Sequence, residues 1–157
     1  MTRIPYRSRL VGIFIGLVLN SPAVGGEADV VREFGLLGLH AVDCDSEPSV
    51  DNPHVTTTIG AEGLVSNVLN MGPDYGDTAI IRNPRLETSD MLKYEHVDGM
   101  GDVFTVSVLR TGLKFQSWSS VRDDGVAFIA NGRFSDSNEP TPVFETCKQR
   151  APTLTDR

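Results

Sequence analysis

Lysine is scarce in this chain. Lys93, Lys114 and Lys148 are the only three among 157 residues, and they are dispersed. Nucleic acids and anionic membrane surfaces are recognised by clustered Lys and Arg, so neither is expected as a partner. Acidic residues outnumber basic ones by 21 to 14, for a formal net charge of −7. Long apolar runs are also missing. The one uninterrupted run, Leu10 to Leu19, is about half the roughly 20 residues that a spanning helix needs. No G-x-S-x-G, H-E-x-x-H or Ser-x-x-Lys occurs, and there is no phosphate loop and no G-x-G-x-x-G. Neither an enzyme nor a bound cofactor is expected. No long stretch has helical period.

What is present begins with a leader. Arg3, Arg7 and Arg9 precede the apolar run, and "NSPAVGGEA" follows it and ends in small residues. This is the layout of a secretory signal peptide, expected at residues 1–28, with Gly26 and Ala28 at the cleavage positions. Ser21 and Ala23 offer an earlier alternative. Cleavage after Ala28 would leave 11 basic and 20 acidic residues, a net charge of −9, and no membrane span. The expected location is periplasmic or secreted.

Cysteine occurs twice, at Cys44 and Cys147. In an oxidising compartment two such thiols tend to pair, and only one intramolecular pairing exists. The bond would close a loop of about 100 residues and contribute roughly 4–5 kcal/mol in the chain-entropy picture. The rival reading makes Cys44 a nucleophile activated by His40 or His54. It is disfavoured because Asp43, Asp45 and Glu47 lie nearby and negative charge raises a thiol pKa. His40, Cys44 and His54 fit no common zinc spacing, and no metal is expected.

Short runs of alternating or β-branched residues recur between turn signals, as in an all-β sandwich or barrel. They include Leu36 to Cys44, His54 to Gly60, Leu64 to Met71, Thr78 to Asn83, Met91 to Val97, Val103 to Arg110, Leu113 to Val121, Val126 to Gly132 and Val143 to Cys147. Pro84 is expected to stop the fourth, and Asp29 to Gly35 to form a helical turn. The expectation is a small antiparallel meander of about 8 strands that closes to hide its edges. It forms a single domain at 29–148 with a disordered tail at 149–157.

Phe34, Gly35, the Asp43-Cys44 pair, Pro48, Ser49, the Asn52-Pro53-His54 run, Trp118, Ser120, Gly125, Gly132, Pro142 and Cys147 make up a pattern. It resembles that of small exported proteins of unknown function from Gram-negative bacteria. The chain is also loosely similar to lipocalin-like barrels, with His40 where their opening Gly-x-Trp has Trp. The first resemblance implies no catalytic residues, and the second implies a barrel.

In Met91 to Val97, alternation puts Leu92, Tyr94 and His96 on one face. Tyr94 and His96 could present polar handles to a ligand inside a barrel. A hydrogen-bonded structural histidine is the plainer reading. Trp118, the sole Trp, falls on the outer face if Phe115 points inward, and is otherwise core. Asp74 to Asp77 and Asp98 to Asp102 carry acids and Gly as calcium loops do, but turn formation explains them. Two functions follow: an exported binding module for a small apolar or amphipathic ligand, with Tyr94, His96 and Trp118 as candidates, or an envelope protein-interaction module or inhibitor whose acidic surface suits a basic partner.

Overall fold

The computed structural model describes residues 26–73 and 75–148. The expected leader up to residue 25 and the tail at 149–157 lie outside the described residues. The described residues form one α-helix, α1 (Glu27–Phe34), a short 3-10 turn at Ala61–Gly63 and ten strands: β1 (Gly38–Ala41), β2 (His54–Ile59), β3 (Val65–Asn70), β4 (Gly76–Thr88), β5 (Met91–Val97), β6 (Val103–Thr111), β7 (Lys114–Arg122), β8 (Ala127–Ala130), β9 (Arg133–Phe134) and β10 (Val143–Thr146).

Strands β1 to β7 pair consecutively and antiparallel. β10 then bridges the two ends, pairing with β1 on one side and with β7 on the other. Eight strands thus close into a barrel, as the sequence led us to expect. β7 serves two partners. Lys114 to Gln116 pair with β10, whereas Ser120 and Val121 pair with β8. The β8–β9 hairpin therefore leans outside the ring. Its turn is Asn131-Gly132, with φ of 52° and 72°. Two positive φ values make the type I′ geometry that suits the twist of two-residue hairpins, and Asn-Gly accepts it best.

The ring is closed by a strand of four residues, and its ends are tied. The Cys147 N–H donates to Leu39 O at 2.8 Å. Cys44 and Cys147 form a disulfide between Cα atoms 5.4 Å apart, across a separation of 103 residues. Asn52, which is buried, folds the β1–β2 connection beside this bond. Its side-chain oxygen accepts from Asp43 N–H at 2.8 Å, and its amide lies 3.0–3.2 Å from the carbonyls of Asp43, Ser46 and Glu47.

The helix α1 closes one end. The Asp29 carboxylate accepts from Gly26 N–H at 3.1 Å, and Gly35 ends the helix at φ 82°. Val31 and Phe34 are buried against a core that includes Ile81, Leu92, Val108 and Phe115. Arg110 fastens this plug. Its Nη1 donates to Phe34 O at 2.8 Å, where helical carbonyls lack internal partners, and its guanidinium lies 5.0 Å from the Phe34 ring centroid.

Residues Glu27 to Phe34 make a full helix where a helical turn was expected at Asp29 to Gly35; Ala28 packs on the core and the Glu27 carboxylate accepts from Asn83 N–H at 2.6 Å. Two expectations need correction. β1 ends at Ala41, and Cys44 sits in the turn beyond it. Pro84 does not stop its strand. β4 continues to Thr88 through a register shift between Arg82 and Arg85, with Asn83 at φ 51°. A bulge gives proline a place where the ladder asks for no N–H.

Reduction of the disulfide is expected to lower the unfolding free energy by about 3–5 kcal/mol, as urea titrations with and without reductant would measure. A loss below about 1 kcal/mol would mean that β10 holds the ring closed by hydrogen bonding and packing alone.

Candidate functional site

Register defines the barrel interior. Tyr94 faces Val106, Leu92 faces Val108 and His96 faces Phe104, so Leu92, Tyr94 and His96 share the inner face, as alternation suggested. Tyr94 is buried and hydrogen-bonded to the Asn67 side chain, which also accepts from Thr57 Oγ1 at 2.7 Å. Burial pushes the Tyr94 hydroxyl up to about 12, so it stays protonated at neutral pH. His40 stands on β1, four strands away from β5 round the ring. Its Nε2 donates to Leu36 O at 2.9 Å, which leaves Nδ1 to accept from Thr146 Oγ1 at 3.4 Å. The edge-on contact with Phe115, at 4.9 Å between centroids, completes its surroundings.

These side chains enclose a cavity of about 70 Å³, bounded by His40, Thr57, Asn67, Tyr94, Val108 and Phe115 among others. That volume has room for a few water molecules. Pockets for drug-sized ligands run roughly 300–1,000 Å³. Among the described residues, every buried side-chain nitrogen and oxygen already has a hydrogen-bond partner.

The end opposite α1 is built differently. In an up-and-down ring, alternate connections share an end. The β1–β2, β3–β4, β5–β6 and β7–β8 connections therefore crowd together there. By sequence, these connections at 42–53, 71–75, 98–102 and 123–126 contain nine acidic residues and neither Lys nor Arg. Several acids serve their own turns. Asp98 Oδ1 accepts from Met100 and Asp102 N–H, both at 2.9 Å, the turn role weighed against calcium above. Asp43 is held below the usual carboxylate range by hydrogen bonds from the Ser46 hydroxyl and the Asp45 N–H. No group of three or more His, Cys, Asp or Glu among the described residues is placed to hold a metal.

His96 stands at this mouth, half-buried, and begins a row of rings. Its centroid is 6.0 Å from Phe104, and Phe104 is 5.7 Å from Phe128, both edge-on. The Arg122 guanidinium lies 5.5 Å from the Phe128 centroid, and its Nη2 is 2.6 Å from Asp124 Oδ2. Beyond Phe128 the β8–β9 hairpin forms a concavity of about 380 Å³, lined chiefly by Val126, Phe128, Ile129 and Phe134, with Asp136 beside them. Val126, Phe128 and Phe134 are 46%, 43% and 37% exposed.

Trp118 is in neither place. A register shift in β7 follows Ser117. The Trp118 ring and the Gln116 amide both approach Gly132 closely on the outer face: a Cβ there would meet each at 3.2 Å. The structure thus brings Tyr94 and His96 to one inner face, at different depths, and sets Trp118 apart behind the hairpin turn. Sequence reasoning missed Phe128 and Phe134, which carry no motif, and Asn131-Gly132, which does signal a hairpin.

No protein-family model matches the chain, and searches of curated proteins and of solved structures return no match.

Burial holds both His40 and His96 below the ordinary histidine range, against the opposing pull of Asp77 and Asp98 on His96. The unfolded chain takes up these protons near pH 6.5 and the native state only at lower pH. Their contribution to stability is complete above that value and is lost as pH falls through it toward the depressed native values. Urea midpoints are expected to drop between pH 7 and pH 5, and His40→Gln should flatten the profile. An unchanged slope in the variant would assign the loss to other groups.

Gly132→Ala would place a Cβ against the Trp118 ring at a residue with φ 72°. A cost of about 1–3 kcal/mol and a shift in Trp118 emission are expected. Wild-type stability would show that the turn relaxes freely.

Proposed function

We propose that this barrel is a non-enzymatic recognition module for a basic protein, exported and oxidised outside the cytoplasm. The disulfide supports an oxidising compartment. Leader cleavage at the earlier Ser21–Ala23 position, rather than after Ala28, leaves α1 and its contacts whole. Among the described residues, no helix is long and apolar enough to cross a membrane.

One observation carries the reading. The connections at the open end bear exposed apolar side chains within an acidic surround: Val50, Tyr75 and Met100 are 70%, 55% and 86% exposed, and Val126 adds to them. Loops on a rigid scaffold are the usual site of recognition. Apolar tips supply contact area, and the acids steer an oppositely charged partner and set its orientation. The Arg122 side chain at this mouth is paired with Asp124. Lys114 and Arg110 lie toward the α1 end, paired with Glu145 and Asp90. An amphipathic ligand held inside the barrel at Tyr94 would need several times the volume available there, which favours the surface over the interior.

The test uses the mature oxidised protein and a panel of small basic proteins, a lysozyme among them, with acidic proteins of similar size as controls. Binding measured by calorimetry is expected for basic members at low salt. It should weaken about tenfold or more on going from about 0.05 M to about 0.5 M salt. Failure of every basic protein to bind at low salt would overturn the proposal.

A further inference from the structure

The recognition surface proposed above need not be uniform, and the β8–β9 hairpin differs from the connections around it. Val50 and Met100 stand on loop tips, where an exposed side chain is free to move. Phe128 does not. Its ring is wedged edge-on against Phe104, which packs on the core, and the Arg122 guanidinium covers it from another side. Arg122 is in turn fixed by Asp124. The backbone beneath is also committed. Ser135 N–H donates to Phe128 O at 2.9 Å, Phe134 N–H to Glu139 O at 2.9 Å, and Asn138 N–H to Phe134 O at 2.9 Å. A strand arriving here would find these groups occupied, so the concavity suits an inserted side chain better than an added strand.

We infer that the concavity between Phe128 and Phe134 is the anchor pocket of the module, taking one apolar side chain from a basic segment of the partner. The inference rests on the proposed function and names its centre. Three properties support the occupant. The volume, about 380 Å³, is ample for one large side chain and its flanks. The walls are preorganised, so little rotamer freedom is lost on binding. The charge that lines it is acidic: Asp136 borders the concavity and is in no ion pair among the described residues, whereas Arg122, whose guanidinium stands by Phe128, is already matched by Asp124 and also feels Asp102 and Asp123. A Lys or Arg next to the inserted side chain therefore meets the Asp136 carboxylate. An acidic segment would meet repulsion.

Amide chemical-shift mapping with the tripeptides Lys-Trp-Lys, Lys-Gly-Lys and Glu-Trp-Glu tests this on the mature oxidised protein. Lys-Trp-Lys is expected to perturb residues between Val126 and Asp136 in a saturable manner. Lys-Gly-Lys should bind at least about tenfold more weakly, as an anchor side chain of this kind would dictate. Glu-Trp-Glu should leave the region unmoved. Val126→Ser, an exposed change that leaves Phe104 and Phe128 in contact, should weaken Lys-Trp-Lys about fivefold or more. Perturbation centred on Val50 or Met100, no saturable shift with Lys-Trp-Lys, or equal response to Lys-Gly-Lys would each overturn the pocket assignment. The basic-protein panel separates the two ideas. If basic proteins bind wild type and Val126→Ser alike, the pocket falls and the recognition reading stands. If none binds at all, the reading itself falls.

Discussion

Closure of the sheet by β10 is the constraint on which the molecule depends. A seven-strand meander has two long edges, each a row of unpaired N–H and C=O groups. Only a strand that pairs on both sides removes them, and β10 does this with four residues between β1 and β7. Few hydrogen bonds form and the contact is remote in sequence, so its loop-closure cost is high. The Cys44–Cys147 bond answers this by shrinking the open ensemble rather than by strengthening the strand. Asn52 then matters indirectly. By gathering the carbonyls of Asp43, Ser46 and Glu47, it holds the turn that carries Cys44 where Cys147 can reach it.

Once closed, an eight-strand ring has an interior about as wide as its own side chains. Here α1 adds Val31 and Phe34 to that interior, and Arg110 locks them in place. Filling one end removes the volume that a lipocalin-like pocket would use. It also makes the ring rigid, and rigidity is what its open-end connections need if they are to present charge and apolar tips in a fixed arrangement. The crowding of acids at that end costs stability through like-charge repulsion. Part of this is relieved locally, as the Ser46 hydroxyl and nearby N–H groups do for Asp43.

The meander from β5 to β7 was legible because alternation and turn residues agreed. Leu92, Tyr94 and His96 fall on one face by period alone, and glycine marks each turn. The disulfide was legible because two cysteines leave a single intramolecular choice. What was hidden had physical causes. Pro84 reads as a stop, and only tertiary context shows that a bulge accommodates it. Asp29 to Gly35 reads as a turn because its apolar stripe is short; packing on the barrel, not propensity, makes it a helix. Val126 to Gly132 reads as a single strand ending at Asn131-Gly132, but that pair is the centre of a hairpin. The two-residue β9 beyond it is too short to show a period, so the concavity between Phe128 and Phe134 has no signal in the sequence. The candidates Tyr94, His96 and Trp118 were chosen by residue type, which says nothing of depth. One lines a small cavity, one stands at the mouth, and one lies behind the hairpin.

The row from His96 through Phe104 to Phe128 links these two halves. Phe104 is partly buried, packs against the core and touches rings on both sides. An exposed aromatic held only by a loop would cost conformational entropy when a partner immobilised it. Phe128 has already met most of that cost on folding, because its ring is seated on a residue that the core fixes. Exposure of such a ring to water is unfavourable for the isolated protein. Neither the closure of the barrel nor the filling of its interior requires it, since β8 and β9 lie outside the ring of eight. A hairpin that adds nothing to closure, yet holds exposed apolar side chains rigidly beside the Asp136 carboxylate, is better explained by what it contacts than by what it stabilises.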